Sequence, residues 1–545
     1  MVETALSQRE CCRYQVSRGR RVHYVAGWDC HGLPIELKAV KGDGGRLGPG
    51  KVREIASKFA EAAVEKQLSQ FRSWGVMADW SQPYLTMSPQ YVKSQLSLFQ
   101  QLYSAGHIFR SYMPVWWSPS SRTALAEAEL EYSSEHNSQA LYVRLRLSQL
   151  SPALRSVVGG ERCEVSCLVW TTTGWSLVAN RAVCYNPALQ YSLLQAGEAG
   201  GQYFLVASDL LTSPGVRASL GETKVVTSLA GSSLAGCQYW RPLYQDQQCP
   251  LLPASHVTNT AGTGLVHTAP AHGQDDFRVG LQHGLSGDCV VGEDGRYLPE
   301  AGLGLQGLEV MGEGGAKVVE LLGSDVLHSE TITHSYPYDW RTKKPVLLRA
   351  SKQWFINTDN LKDRAISVLA DVEIQPDTAG NGFRGVVDRR PYWCISRQRV
   401  WGTFIPVIYT KHGEIVISSE LIERYQHLLD THGSSFWWEL SLEEILAGTS
   451  YSPEDHRREG LDIMDIWLDS GLSWSSVLEQ GQTADVYCEG LDQFSGWFYS
   501  SLLTSVALTG RAPYKKVFVH GFTLDEKGNK VGRHWAHLTS LLYYN

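Results

Sequence analysis

Gly27-Trp28-Asp29-Cys30-His31-Gly32-Leu33-Pro34-Ile35-Glu36 is the stretch on which the reading of this chain turns. Glycines and a proline bracket an acidic residue and a histidine. A strand-to-helix loop at a ligand crevice needs that mixture, because the backbone must approach closely and a few polar groups must fix orientation. Composition alone describes a structural turn equally well.

Working outward, residues 52–73 carry Ile55, Phe59, Ala62 and Ala63 at helical spacing among Lys and Glu. Ser88-Pro89 opens a second helix, with Val92, Leu96, Phe99 and Leu102 on one face. Both read as surface helices packed on a sheet. Near residue 138 the texture changes to short β-rich runs separated by Gly-rich turns: Leu141 to Val143, Val165 to Thr173, Tyr203 to Ala207 and Lys224 to Thr227. This continues to about residue 345. Beyond it α/β character returns, with Trp497 to Leu508 as a helix and Val517 and Val519 as a buried strand leading into His520-Gly521-Phe522. The pattern predicts an α/β domain interrupted by a β-rich insertion. There are no internal repeats or low-complexity tracts.

The 545 residues are enough for more than one domain, and 43% hydrophobic with 19% charged residues predicts packed cores. A net charge of −7 argues against a surface that grips nucleic acid everywhere, but not against a local basic face. Arg389, Arg390, Arg397 and Arg399 form one such cluster, readable equally as a solvated loop. The eleven cysteines include no C-x-x-C, so neither a zinc ribbon nor a thioredoxin motif is indicated. Cys163, Val165, Cys167 and Val169 alternate as one face of a strand, and the thiols read as buried in a reducing compartment. No apolar run approaches the ~18 residues of a membrane span. The first twenty-one residues are Arg-rich but lack the apolar core of a secretory signal, and Glu3 and Glu10 weaken a transit-peptide reading.

Two further blocks stand inside the β-rich region. Trp170-Thr171-Thr172-Thr173-Gly174-Trp175 with Asn180 reads on its own as a strand face. Gly264-Leu265-Val266-His267-Thr268-Ala269-Pro270-Ala271-His272-Gly273-Gln274-Asp275-Asp276-Phe277 reads on its own as a metal site.

Taken with the opening block, these resemble isoleucyl-tRNA synthetases, a class I aminoacyl-tRNA synthetase family. The likeness runs nearly end to end. Val115 to Tyr132 resembles the segment entering the family's editing insertion, and Trp393 to Arg399 with Trp401-Gly402 the segment leaving it. Asp465-Ile466-Trp467-Leu468-Asp469-Ser470-Gly471, and Glu489-Gly490-Leu491-Asp492-Gln493 with Gly496-Trp497-Phe498, resemble the adenylate-site strands and loops.

The resemblance implies that Asp29 binds the amino group of isoleucine, as a buried ammonium requires a carboxylate. It implies that Glu489, Gly490, Asp492, Gln493 and His520 contact the aminoacyl-adenylate. Trp467 and Trp497, each readable alone as core, become walls of the side-chain pocket. In the insertion, Asp276 would hold the α-amino group of a misacylated residue. Thr171, Thr172, Thr173, Asn180 and His267 would shape the pocket and position water, with no metal. Editing has an energetic reason. One methylene is worth only about 1–3 kcal/mol in an apolar pocket, the long-established figure for isoleucine against valine. A second, smaller hydrolytic site supplies the missing discrimination.

The sequence also departs from the family. No H-x-G-H precedes Gly27, so the ATP-handling HIGH-type motif is not found. At the expected KMSKS loop Lys530 takes the first lysine position and Arg533 the second, within Val531-Gly532-Arg533-His534. Arg keeps the charge, but as a planar fork rather than a compact ammonium. Gly174 replaces a usual Pro, which would loosen that loop. Thr403-Phe404 replaces a usual Val-Pro.

The expected architecture is therefore α/β: a class I Rossmann-type catalytic domain with an incomplete N-terminal unit (1–137 and 346–545) and an inserted β-rich editing domain (138–345). An incomplete or misjoined gene would account for both ends and for an absent anticodon-binding domain, with a truncated isoform as the alternative. The implied activity is ATP-dependent activation of isoleucine with Mg2+, transfer to tRNA(Ile), and hydrolysis of valyl-tRNA(Ile). A deacylase only, or a non-catalytic tRNA-binding remnant, are the alternatives. No bound zinc and no membrane contact are expected of what reads as a monomer. The wording of the blocks favours a mitochondrial over a cytoplasmic protein.

Overall fold

The computed structural model describes residues 2–39, 47–158, 163–197, 202–244, 246–388, 392–479, 481–522, 524 and 526. The chain divides into two compact units, Met1–Arg110 with Gln353–Asn545, and Ser111–Lys352.

The first unit contains both antiparallel and parallel pairs, and the parallel ones position the site. Gly27–Trp28 pairs in parallel with Tyr84–Leu85, in register Gly27 to Tyr84. The connection runs through the helices Leu33–Ala39 and Pro49–Ser73, as a parallel pair requires a long crossover. Glu373–Gln375 and Tyr487–Gly490 flank Lys516–His520, both in parallel. The helix Trp497–Thr509 makes the crossover between the last two, and it is buried continuously from Phe498 to Val506. Asp29, Gly490 and His520 thus all lie at the carboxyl ends of parallel strands, where open α/β sheets bind ligands.

The helix that opens at Ser88-Pro89 spans Pro89–Ser104. The Ser88 side chain caps it by accepting from the Tyr91 backbone N–H. Its buried face holds Val92, Leu96, Phe99 and Leu102 as the spacing predicts, and also Gln95, fully buried among them. The preceding helix runs Pro49–Ser73, but its buried face is Val52, Arg53, Ala56 and Ala60. Phe59 instead stays 37% exposed, with the Lys38 ammonium 4.7 Å from its ring centroid. The rotation has a cause in Arg53. Its guanidinium is buried and donates to the carbonyls of Val400 (2.6 Å), Gly402 (2.9 Å) and Ser434 (3.1 Å). It also lies 3.9 Å over the Trp438 ring. A helix Val2–Ser17, unforeseen in the sequence, packs through Thr4 and Gln8 onto the ends of Tyr487–Gly490 and Lys516–His520.

The second unit centres on a 10-stranded sheet. Its long strand Leu130–Gln149 pairs antiparallel with Val326–Asp339, from Leu130 opposite Asp339 to Val143 opposite Val326. The compact unit is wider than the expected 138–345, and the polar outer half of this ribbon, which carries little β signal in sequence, accounts for residues 130–137 of the difference. Glu164–Thr171 sits inside the sheet, between Leu130–Gln149 and Gln202–Ala207. Consequently Ser166 and Leu168 are buried as well as Val165, Cys167 and Val169, so the strand does not have the single buried face its alternation predicts.

All eleven cysteines are free. Among the described residues no helix is long and apolar enough to cross a membrane.

Arg53→Ala removes the donor from three backbone carbonyls at once. It is expected to lower the stability of the first unit by about 3 kcal/mol. A urea titration measures this, and a loss below ~1 kcal/mol contradicts the role given to Arg53.

Candidate functional site

In the first unit the block 27–36 is fixed from several sides. The Tyr84 ring lies over Gly27 so closely that a Cβ there would fall 1.9 Å from Tyr84 Cε1, so only glycine fits. Gly32 has φ +111°, again a glycine conformation. The Cys30 N–H donates to Thr86 Oγ1 (2.9 Å), and Trp401 Nε1 donates to the Cys30 carbonyl (2.8 Å). The Glu36 carboxylate accepts from the N–H groups of Val400 (3.0 Å) and Trp401 (2.8 Å).

Asp29 is held out at the end of this strand. The residue is exposed to solvent, and its carboxyl feels Asp469 and Ser470. Desolvation first, and then the Asp469 carboxylate, push its carboxyl upward, to about 8, against a Ser470 hydrogen bond that favours ionisation. Behind it lies a buried polar chain. His31 Nδ1 is 2.7 Å from Asp469 Oδ2, Gln95 Nε2 donates to Asp469 Oδ1 (2.8 Å), and Thr403 Oγ1 donates to Gln95 Oε1 (2.8 Å). The Tyr91 hydroxyl donates to the Asp469 carbonyl at 2.6 Å. Burial raises the Asp469 carboxyl, and His31 and Gln95 pull it back.

Glu489, Gly490, Asp492 and His520 come together at the neighbouring strand ends. Gly490 pairs with His520, and a Cβ on Gly490 would meet Asp492 Oδ1 at 2.7 Å and His520 Cε1 at 3.4 Å. Burial raises the Glu489 carboxyl to about 7. Thr4 Oγ1 donates to it at 3.2 Å and lies 3.2 Å from His520 Nε2. Gln493 is turned back, donating to Asp492 Oδ2 (3.2 Å) and accepting from the Trp497 N–H (3.1 Å). Trp467 packs against Gly496, where a Cβ would lie 2.6 Å from its ring. Trp497 stacks on Tyr487 with centroids 4.0 Å apart and donates to Ser473 Oγ (3.0 Å). Both rings are half-buried.

In the second unit the threonine run and the histidine block meet. Thr171 Oγ1 and Thr173 Oγ1 are 3.3 Å apart, Thr173 and Ser176 hydroxyls 3.2 Å, and Ser176 Oγ and His267 Nε2 3.1 Å. Asn180 Nδ2 lies 2.8 Å from His267 Nδ1, and the Tyr239 hydroxyl donates to Asn180 Oδ1. Burial pushes His267 down to about 3, so it is neutral at pH 7 with both ring nitrogens engaged. Thr172 is half-buried on the same turn. Asp276 accepts from the Ala269 N–H at 2.8 Å, and burial raises it to about 7. Gly174 is closely packed in its turn. A Cβ there would fall 2.4 Å from Leu141 Cδ1, and Ser176 ties the turn back to the Thr173 carbonyl at 2.8 Å.

Some expectations need correction. Arg397 and Arg399 are buried, and Arg397 pairs with Asp465 at 3.0 Å, so they form no basic surface. Arg389 and Arg390, and the candidate catalytic pair Lys530 and Arg533, lie outside the described residues. The substitution at 403–404 has a place in the fold: Thr403 joins the Gln95 chain, and Phe404 stacks on Trp437 with centroids 4.5 Å apart. Among the described residues no group of three or more His, Cys, Asp or Glu could hold a metal ion. Sequence reasoning missed His31, Asp469, Gln95 and Ser176. His31, Asp469 and Ser176 stand inside or beside the quoted blocks, whereas a lone glutamine on an apolar helix face was the one signal of Gln95.

The chain matches the family described as tRNA synthetases class I (I, L, M and V) across residues 3–537. It is 48% identical over 539 residues to the mitochondrial isoleucine--tRNA ligase of Macaca fascicularis, covering 96% of this chain and 53% of that protein. It is 44% identical over 533 residues to the isoleucine--tRNA ligase of a Cyanothece species, covering 96% and 55%. The chain thus spans about half the length of the curated relatives it matches. A LeuRS from Agrobacterium radiobacter K84, solved in a ternary complex with tRNA and LeuAMS, is 18% identical with a TM-score of 0.43, covering 98% of this chain and 63% of that one. A likeness at that level adds nothing to the family match.

A carboxyl raised on folding costs stability once it must ionise. The Asp29 value moves from 3.8 to about 8, so its neutral form favours the fold, and that contribution is lost as pH rises between the two. Asp29→Asn is therefore expected to melt at a higher temperature than the parent at pH 8, with the gap closing by pH 4. Thermal melts across that range check it, and equal melting temperatures throughout contradict it.

Proposed function

In a chain that belongs to the class I tRNA synthetases of the isoleucine, leucine, methionine and valine group, we propose that the first unit binds and activates isoleucine and the second unit hydrolyses mischarged valyl-tRNA(Ile). The observation that carries this reading is the position of Asp29, at the carboxyl end of a parallel strand with the Asp469 charge acting on it, a place that a cation would stabilise. An α-ammonium group supplies that cation and draws the carboxyl into its ionised form. Trp467 and Trp497 give the branched side chain a rigid apolar wall. Glu489, Gly490, Asp492, Gln493 and His520 hold the adenylate formed from isoleucine and ATP with Mg2+. The choice of isoleucine within the family is supported by relatives at 42–48% identity that carry that name.

In the second unit Asp276 takes the ammonium of valine, and Thr171, Thr172, Thr173 and Asn180 bound a pocket too small for isoleucine. His267 is neutral and doubly hydrogen-bonded, so its part is to orient Ser176 and Asn180 around the ester and its attacking water, not to carry a charge. A mitochondrial place for this work is supported by mitochondrial relatives at 46–48% identity beside bacterial ones at 42–44%.

A second reading, a deacylase only, is favoured by Val531-Gly532-Arg533-His534 where a lysine-bearing loop is expected for ATP chemistry.

Two assays on the 545-residue chain separate the readings. Isoleucine-dependent ATP–pyrophosphate exchange is expected, with kcat/KM for isoleucine reduced about 100-fold or more, ~2.7 kcal/mol, in Asp29→Asn. Hydrolysis of preformed valyl-tRNA(Ile) is expected, and is lost in Asp276→Ala. Hydrolysis without exchange establishes the deacylase reading. Neither activity in a folded chain overturns both.

A further inference from the structure

Thr403, Gln95, Asp469 and His31 form a chain of side-chain contacts, each 2.7–2.8 Å long, and all four residues are buried. The chain ends at the loop that carries Asp29. Its chemistry is directional. A glutamine amide has one accepting and one donating end, and which end faces where is set by its partners. The Asp469 carboxylate can only accept, so it must meet the Gln95 amino group. The Gln95 carbonyl oxygen then faces Thr403, which must donate. A side chain at 403 without a hydroxyl would leave that oxygen buried with no donor. The alternative is a flipped amide, which sets an acceptor against a carboxylate.

Asp469 in turn bears on the amino-acid site in two ways. It holds His31 two residues beyond Asp29, and its own charge acts on Asp29, as does the hydroxyl of the adjoining Ser470. Other ionisable groups beside this cluster, among the described residues, are Asp465, itself paired with Arg397, the Cys30 thiol, and the hydroxyls of Tyr84 and Tyr91.

We propose that Thr403 and Gln95 are positioning residues: through Asp469 and His31 they fix the Asp29 loop in the geometry that receives an α-ammonium group. The inference rests on Asp29 as the ammonium partner. Thr403 touches no substrate and acts only through Gln95.

Two conservative changes at 403 separate this role from packing. Val keeps the shape of threonine and removes the hydroxyl; Ser keeps the hydroxyl and removes a methyl. Positioning therefore predicts that Thr403→Val suffers and Thr403→Ser is spared, and packing predicts the reverse. The probe is isoleucinol, which retains the amine and needs no ATP chemistry, titrated calorimetrically into the full chain. We expect Thr403→Val to weaken binding about five- to tenfold and Thr403→Ser to stay within about twofold. Thr403→Val combined with Gln95→Leu should bind no worse than Gln95→Leu alone, because the two changes break one chain. Thermal melting confirms that each variant is folded. Parent-like binding by Thr403→Val, or a loss as large in Thr403→Ser, overturns the positioning role while leaving Asp29 as the ammonium partner. If the folded parent binds no isoleucinol, the Asp29 reading itself fails and takes this inference with it.

Discussion

A carboxyl whose ionisation is opposed by its surroundings and by a second carboxylate, that of Asp29, is the constraint on which the rest of the first unit depends. Asp29 needs a strand end to present it, a glycine on either side of its loop, and Tyr84 packed against Gly27 to close the strand pair. It also needs a second carboxylate close by, Asp469, which sharpens its demand for a cation. Asp469 would be intolerable alone in the core. His31 and Gln95 make it tolerable, and Tyr91 anchors its backbone. The Trp401 and Glu36 contacts then lock the loop to the segment that returns from the other unit's stretch of sequence.

The second unit meets the same chemical problem with different parts. Asp276 is again a carboxyl raised by burial, steadied by one backbone N–H. The threonine run of the same unit meets neutral groups: a serine hydroxyl, an asparagine, and a histidine whose burial keeps it uncharged. A site made of neutral donors and acceptors suits hydrolysis of an uncharged ester. The first site instead gathers ionisable groups, Glu489 and Asp492 beside His520, at neighbouring strand ends. Under the proposed function, carboxyls in two separate units serve a double selection between valine and isoleucine, since a single apolar pocket gains only about 1–3 kcal/mol from the extra methylene.

Local chemistry was legible in the sequence, and long-range chemistry was not. Ser88-Pro89 announced a helix start because capping is decided within four residues, and the Ser88 cap is there. The strand-end position of Asp29 could be read from its flanking glycines. The buried face of Pro49–Ser73 was misjudged because apolar spacing favoured Phe59, whereas Arg53 is drawn inward by carbonyls at Val400, Gly402 and Ser434. The His31–Asp469–Gln95–Thr403 chain could not be read at all, since its links join residues 438, 374 and 308 positions apart. The helix Val2–Ser17 was missed because its polar and apolar residues are not segregated into faces. The editing blocks could be read as a pair, but not that Ser176 would bridge Thr173 to His267.

The most direct test of the central claim is the proton balance of isoleucine binding. At pH 7 the free Asp29 carboxyl, raised to about 8, is mostly protonated, and docking of the ammonium group ionises it. Calorimetric titrations of isoleucine in buffers of different ionisation enthalpy should therefore report release of roughly 0.5–1 proton at pH 7, fading as the pH approaches 9.5. Isoleucine binding with no proton release anywhere between pH 6 and 8 would contradict the account.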